Sequence, residues 1–346
     1  ADFAPIGPNS AAGTPDKHFD TLLYTGDGTT GQVVSGLGFQ PDLVWGKNRS
    51  DGTAHWLHDS VRGVSKILRS DVATAEVADG GGIVDFFDGG VDIRSLTAAA
   101  GNTNQTSNNY VLWCWKAGND TKINNKGNNQ STVSVNQDAG FSIVSWNSNG
   151  GPVGSNYIGH GLDNTPDVYI IKDRNSTENF HFYTTLADGS LDYYLLETTG
   201  AGADSGYPAP TSEYIYWSSN SGNDYIAYCW HSVEGYSKFG SYKGNGNADG
   251  PFIYLGFKPA FIMFKNATTG STNWQINDNK RNPVNPVNAR LAPSAADAES
   301  TSSYQLGDFL SNGIKIRETD QTWNKSGDTY IYMAYAEMPF KYAIAR

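Results

Sequence analysis

Tyr110-Val-Leu-Trp-Cys-Trp115 returns as Tyr225-Ile-Ala-Tyr-Cys-Trp230 and once more as Tyr330-Ile-Tyr-Met-Ala-Tyr335. Each copy follows a polar turn: Ser107-Asn-Asn, Gly222-Asn-Asp or Gly327-Asp-Thr. Each reads as a strand that is apolar on both faces of its pleat. Such a strand must be covered on both sides. One string of this kind predicts a central strand, and three in one chain predict a repeated architecture.

Other strings recur in the same order. Phe39-Gln-Pro-Asp-Leu-Val-Trp-Gly-Lys47 matches Thr165-Pro-Asp-Val-Tyr-Ile-Ile-Lys172 and Phe257-Lys-Pro-Ala-Phe-Ile-Met-Phe-Lys265. Pro41, Pro166 and Pro259 suit a strand start, where no ladder donor is needed. Lys47, Lys172 and Lys265 each stand six residues later and read as strand-end charges leaving for solvent, paired with a nearby Asp. Tyr24-Thr-Gly-Asp-Gly28, Trp146-Asn-Ser-Asn-Gly150 and Tyr242-Lys-Gly-Asn-Gly246 open the copies with turn chemistry. Asp85-Phe-Phe-Asp-Gly-Gly-Val-Asp-Ile93 matches Asp308-Phe-Leu-Ser-Asn-Gly-Ile-Lys-Ile316. These landmarks place an N-terminal extension at 1–16, repeats at 17–118, 134–235 and 236–346, and a polar linker at 119–133. The second and third repeats have almost no linker, so they are expected to pack or share a sheet where they meet.

Composition agrees. The 346 residues include 39 Gly, 20 Tyr, 15 Phe and 9 Trp, which suits many short strands joined by polar turns. The expected fold is all-β: three tandem antiparallel β-sandwich domains. A formal charge of −11 and the lack of a basic stripe argue against nucleic-acid binding. No run of about 18 apolar residues is present for a membrane helix. Ala1-Asp-Phe-Ala-Pro-Ile-Gly-Pro8 has neither the basic start nor the apolar centre of a secretory leader, and it lacks an initiating Met.

The only two cysteines, Cys114 and Cys229, occupy the slot filled by Ala334 in the third copy. A slot that accepts Cys, Cys and Ala is expected to be a small buried core position. Separate cores hold the thiols beyond disulfide range, and unpaired thiols suit a reducing cytoplasm. His55, His58 and Asp59 look superficially like a metal site, but spacing of three puts strand side chains on opposite faces, so no metal is expected. No cofactor is expected either. The carboxylates Glu76, Asp85 and Asp88 form no repeated glycosidase pair, and no nucleophile elbow is present. The chain therefore reads as a non-enzyme, with polysaccharide cleavage the one activity left open. Trp56, Phe180 and Trp274 recur about 15 residues after the proline and read first as core. Trp217 and Trp323 sit in polar surroundings. With Trp56 and Trp274, they are the candidate glycan or partner contacts, because sugar C–H faces stack on exposed rings.

Taken together, Phe39–Trp45, Asp59-Ser-Val-Arg-Gly63, Tyr110–Gly118, Gly235–Gly250 and Tyr330–Phe340 resemble a tandem β-domain repeat family of marine bacteriophage structural proteins, described as tail-fibre-like or lectin-like. The resemblance runs from about Phe19 to Arg346, with Gly46 a departure expected to thin the packing of the first repeat. It implies a jelly-roll or lectin-like sandwich and a virion protein assembled in the host cytoplasm. By that resemblance it would be a tail fibre or surface fibre that contacts the host. It further implies other virion proteins and host polysaccharide or lipopolysaccharide as partners, and a homo-oligomer, a trimer by analogy with tail fibres. Capsid decoration, a free carbohydrate-binding module and a depolymerase are the competing expectations.

Overall fold

The computed structural model describes residues 14–78, 80–95, 102–151, 155–217, 220–301 and 306–337. The start of the extension (1–13) and the end of the third repeat (338–346, with Met338-Pro-Phe340) lie outside the described residues. The described chain is all-β, and its only helical element is a short 3-10 turn at Pro15–Lys17. All paired strands are antiparallel.

Three main sheets share one strand order. Phe19–Thr25, Asn109–Trp115, Leu43–Asn48 and Trp56–Asp59 lie side by side in the first repeat. Phe141–Asn147, Asp224–Trp230, Val168–Asp173 and His181–Thr184 repeat that order inside an eight-stranded sheet. Ser237–Lys243, Thr329–Ala336, Pro259–Asn266 and Gln275–Asp278 repeat it again. The recurring tyrosine string is thus the second strand and the proline string the third, as the apolar runs require. Registers correspond as well: Val44 faces Cys114, Tyr169 faces Cys229 and Ile262 faces Ala334. The segment read as a linker contributes strand Lys122–Asn124 at one edge of the eight-stranded sheet.

Both faces of each central strand are buried, against different things. Leu112 and Cys114 face a core of the first repeat alone, closed by a small sheet of Gln32–Ser35, Gly90–Arg94 and Gly82–Phe87. Ala227 and Cys229 face the second repeat's core, closed by the pair Tyr157–Gly159 and Tyr214–Tyr216. Tyr332 and Ala334 face the third, closed by Phe252–Tyr254, Gly313–Ile316 and Gly307–Leu310. On the opposite face Trp113, Trp115, Tyr228, Trp230, Met333 and Tyr335 meet in one core common to all three repeats. The second and third repeats therefore pack through this core; Asp224–Trp230 and Ser237–Lys243 belong to different sheets. Both cysteines are free and buried in separate cores. Burial pushes both thiols above their ordinary range and leaves them inert.

Gly46 does not thin the first repeat. A Cβ there would lie 2.2 Å from the ring of Trp56, its register partner. The equivalent pairs are Ile171–His181 and Phe264–Gln275. The structural counterpart of Phe180 and Trp274 is therefore His55, one residue earlier than the sequence spacing suggests. Because strand faces alternate, that one-residue slip sends Trp56 into the first repeat's own core, while Phe180 and Trp274 enter the common one. Gly46→Ile alone should clash and cost several kcal/mol, at the upper end of overpacking penalties. Adding Trp56→His, which imports the second repeat's pair, should recover most of that loss in urea unfolding. A double variant no more stable than Gly46→Ile would show that the ring and the glycine are not coupled.

Candidate functional site

The four tryptophans proposed as glycan contacts are packing residues. Trp56, Trp274 and Trp323 are fully buried and Trp217 is 8% exposed. A buried ring offers no face to a sugar. Trp217 packs among His181, Tyr183 and Tyr225, and Trp323 lies against Phe264.

Lys47, Lys172 and Lys265 do not leave for solvent either. All three are buried, with each ammonium solvated by carbonyl oxygens. Lys47 Nζ donates to Asn48 O at 2.7 Å, Asp51 O at 3.1 Å and Ala296 O at 3.3 Å. Lys172 donates to Asp173 O at 2.7 Å and Ser176 O at 3.0 Å. Lys265 donates to Thr272 O at 2.5 Å and Thr199 O at 3.1 Å. Burial pushes each of the three down to about 8. Ala296 and Thr199 belong to neighbouring repeats, so two of these lysines also pin a seam.

The strongest electrostatics lie at those seams. Where the first repeat meets the second, Arg62 pairs with Asp59 through Nε, and its Nη1 donates to Glu76 Oε2 at 2.9 Å. Arg174 of the second repeat completes a bidentate pair with Glu76 at 2.9 and 3.0 Å, and Tyr228 OH donates to Asp59 Oδ2 at 2.7 Å. Where the third repeat meets the first, the same constellation returns. Arg281 Nε reaches Asp278 at 2.5 Å and its Nη1 reaches Glu299 at 2.9 Å. Arg49 grips Glu299 at 2.8 and 3.0 Å, and Trp113 Nε1 donates to Asp278 Oδ2 at 3.0 Å. Burial alone would raise the Glu76 and Glu299 carboxyls, but hydrogen bonds and charge from their arginine pairs hold both below the ordinary value.

The third seam replaces every member together. Thr184 stands for the aspartate, Ala187 for the first arginine, Gly202 for the glutamate, Ala267 for the second arginine and Met333 for the aromatic donor. The backbone bond that marks the position survives: Gly202 N to Ala267 O at 3.2 Å, against Glu76 N to Arg174 O and Glu299 N to Arg49 O, both at 2.9 Å. Phe182, Tyr194 and Trp274 fill the seam instead, and among the described residues no ion pair crosses it. A half-satisfied buried network costs more than an apolar contact, so loss of one member favours loss of all.

His55 stacks on Trp113 and accepts from Trp45 Nε1 at 3.1 Å, while His58 lies beside Trp56 on the opposite face, as spacing of three requires. Among the described residues no three His, Cys, Asp or Glu side chains group as metal ligands. Asp85 and Asp88 are exposed on a hairpin, and Glu76 is committed to two arginines.

The surface feature that the tryptophan reading passed over is on the small outer sheets. Tyr157-Ile-Gly159, Tyr214-Ile-Tyr216 and Phe252-Ile-Tyr254 alternate, so each isoleucine enters a core and the rings face outward. At the slot before the buried aliphatic pair, each repeat exposes an apolar side chain: Val33 at 65%, Tyr157 at 36% and Phe252 at 44%. Period-2 alternation was the available signal.

A family model described as a domain of unknown function (DUF7483) matches residues 14–339. The chain belongs to this family. The match spans all three repeats, so the DUF7483 unit is the whole three-repeat assembly and not a single copy. No curated protein matches the chain.

Two measurements test the buried polar groups. Arg62→Ala removes the buried counter-charge of Asp59 and one of the two arginines on Glu76, and should cost about 3–5 kcal/mol. The set Asp59→Thr, Arg62→Ala, Glu76→Gly, Arg174→Ala and Tyr228→Met should cost far less than the sum of its five single costs in chemical unfolding; simple additivity would contradict a shared network. The second test concerns pH. Burial holds His55 and His58 well below the ordinary histidine value, and His160 and His181 at about 4. Unfolded histidines protonate near 6.5, so below that pH the unfolded chain binds protons that the folded chain refuses. Their stabilisation is complete above pH 6.5 and declines below it. The urea midpoint should fall between pH 7.5 and 5.5, and a flat or rising midpoint would contradict it.

Proposed function

We propose that this DUF7483 protein is a non-enzymatic structural protein of a bacteriophage virion that presents binding surfaces to the host cell, as a tail fibre or surface fibre does. In this reading it consists of three tandem β-sandwich modules of jelly-roll or lectin-like type, fused through their inner faces. The observation that carries the proposal is the exposed apolar side chain at the same outer-sheet slot of every repeat. Nothing in the cores calls for that exposure. A body that exposes an apolar side chain on each of three repeats suits attachment to a repetitive surface, where several weak contacts add by avidity. The repeat strings resembling phage structural proteins support the same reading, and the engaged or solvated carboxylates suit a non-enzyme. The inner faces already cover one another within one chain, so a homotrimer would form through the outer surface.

Immunogold labelling of purified particles with an antibody against this chain tests the proposal. Label at the distal tail is the expected result. Label spread over the head would replace host contact with capsid decoration, and unlabelled particles would remove the virion assignment.

A further inference from the structure

The outer faces of the second and third repeats combine rings with an ion pair, exposed on the second; on the third, the half-buried Lys315 also donates to Gly250 O. On the second repeat, Tyr157 and Tyr214 stand 5.1 Å apart at 70°, with Tyr216 beside them. Glu213, next to Tyr214, pairs with Lys126, and both partners of that pair are exposed. On the third repeat, Phe252 and Tyr254 project from one strand; Lys315, the register partner of Phe252, pairs with Asp249 at 2.6 Å. Lys238 lies 5.2 Å from the Tyr254 ring centre and donates to Tyr254 O at 2.7 Å. Gly313, the register partner of Tyr254, is needed for the close approach of the Ile253 backbone oxygen, 2.1 Å from where a Cβ would stand, and leaves room for the Phe252 ring at 2.9 Å.

Size decides between kinds of partner. An aromatic side chain carries about 150–250 Å². With Phe252 44% and Tyr254 59% exposed, such a face offers on the order of 200 Å². A stable protein interface takes about 800 Å² from each partner. One or two sugar rings match the smaller figure. Charge decides between kinds of sugar. Each face carries a paired lysine and carboxylate, which together offer donors and acceptors to hydroxyls at little net charge. The chain as a whole is at −11, which disfavours acidic polymers.

We infer that these two faces bind neutral pyranose polymers. The rings stack on sugar C–H faces, and the Lys126–Glu213 and Lys315–Asp249 pairs receive the hydroxyls. The inference rests on the host-contact reading above and names its ligand class. The two faces sit on one rigid body, so they add by avidity on a long polymer.

Affinity electrophoresis of the full chain through gels containing dextran, mannan or galactan, with alginate as the acidic control, tests the inference. Retardation by at least one neutral polymer and none by alginate is expected. Tyr157→Ser with Tyr214→Ser, or Phe252→Ser with Tyr254→Ser, should each weaken binding about tenfold, and the four changes together should abolish it. Circular dichroism of each variant confirms that the fold is kept. Failure of all three neutral polymers, retardation by alginate alone, or unchanged binding by the folded variants would overturn the inference. Competition for particle adsorption separates the two proposals. If the parent chain and the four-fold variant both block adsorption equally, host contact stands and the aromatic faces do not carry it.

Discussion

The central strand of each repeat is apolar on both faces, and this constraint organises the molecule. Within each repeat a small sheet covers one face. The other face must be covered by something else, and here the cover is the equivalent faces of the other two repeats. Trp113, Trp115, Tyr228, Trp230, Met333 and Tyr335 build that common core. No repeat can leave the assembly without exposing a sheet of large aromatic side chains to water, a loss that grows with the apolar area uncovered. The three repeats therefore form one body even though each has a private core.

Hydrophobic contact alone does not say which repeat sits beside which. The buried charges do. The first repeat carries both halves of the constellation: Asp59, Arg62 and Glu76 on one side, Arg49 and Trp113 on the other. The third carries only the Asp–Arg–Glu half and the second only the Arg–Tyr half. In the opposite cyclic order, Arg49 and Trp113 would face Thr184 and Ala187, and Arg62 would face Ala267 and Met333. Unpaired buried charges of that kind are among the costliest contacts a protein can make. The two charged seams and one apolar seam thus favour a single circular arrangement.

With the inner faces sealed and the seams keyed, only the outer sheets are free to differ. There the equivalent slots hold Val33 opposite Asp92, Tyr157 opposite Tyr216 and Phe252 opposite Lys315. The scaffold repeats while the surface chemistry changes, because packing constrains the first and leaves the second free.

Much of this was legible in the chain itself. Six-residue apolar runs after polar turns fixed the central strands, because a strand with two apolar faces has no other stable setting. The Cys–Cys–Ala slot identified inert core positions, since small size and not thiol chemistry is what the three share. Other features were decided only in three dimensions. The lysines after the proline strands read as surface charges, because the carbonyls that surround them lie from 1 to 249 residues away and only the fold turns them onto one ammonium. Trp56 matched Phe180 and Trp274 by spacing, yet a one-residue slip placed it on the other face, where Gly46 makes room. Trp217 and Trp323 have polar sequence neighbours, yet both rings are core members, because the polarity of adjacent residues does not fix where a side chain packs. The ion networks join residues 98 and 250 positions apart. Sequence periodicity reports the face of a strand; which faces meet, and which charges they bury together, is settled only when the three sheets close on one another.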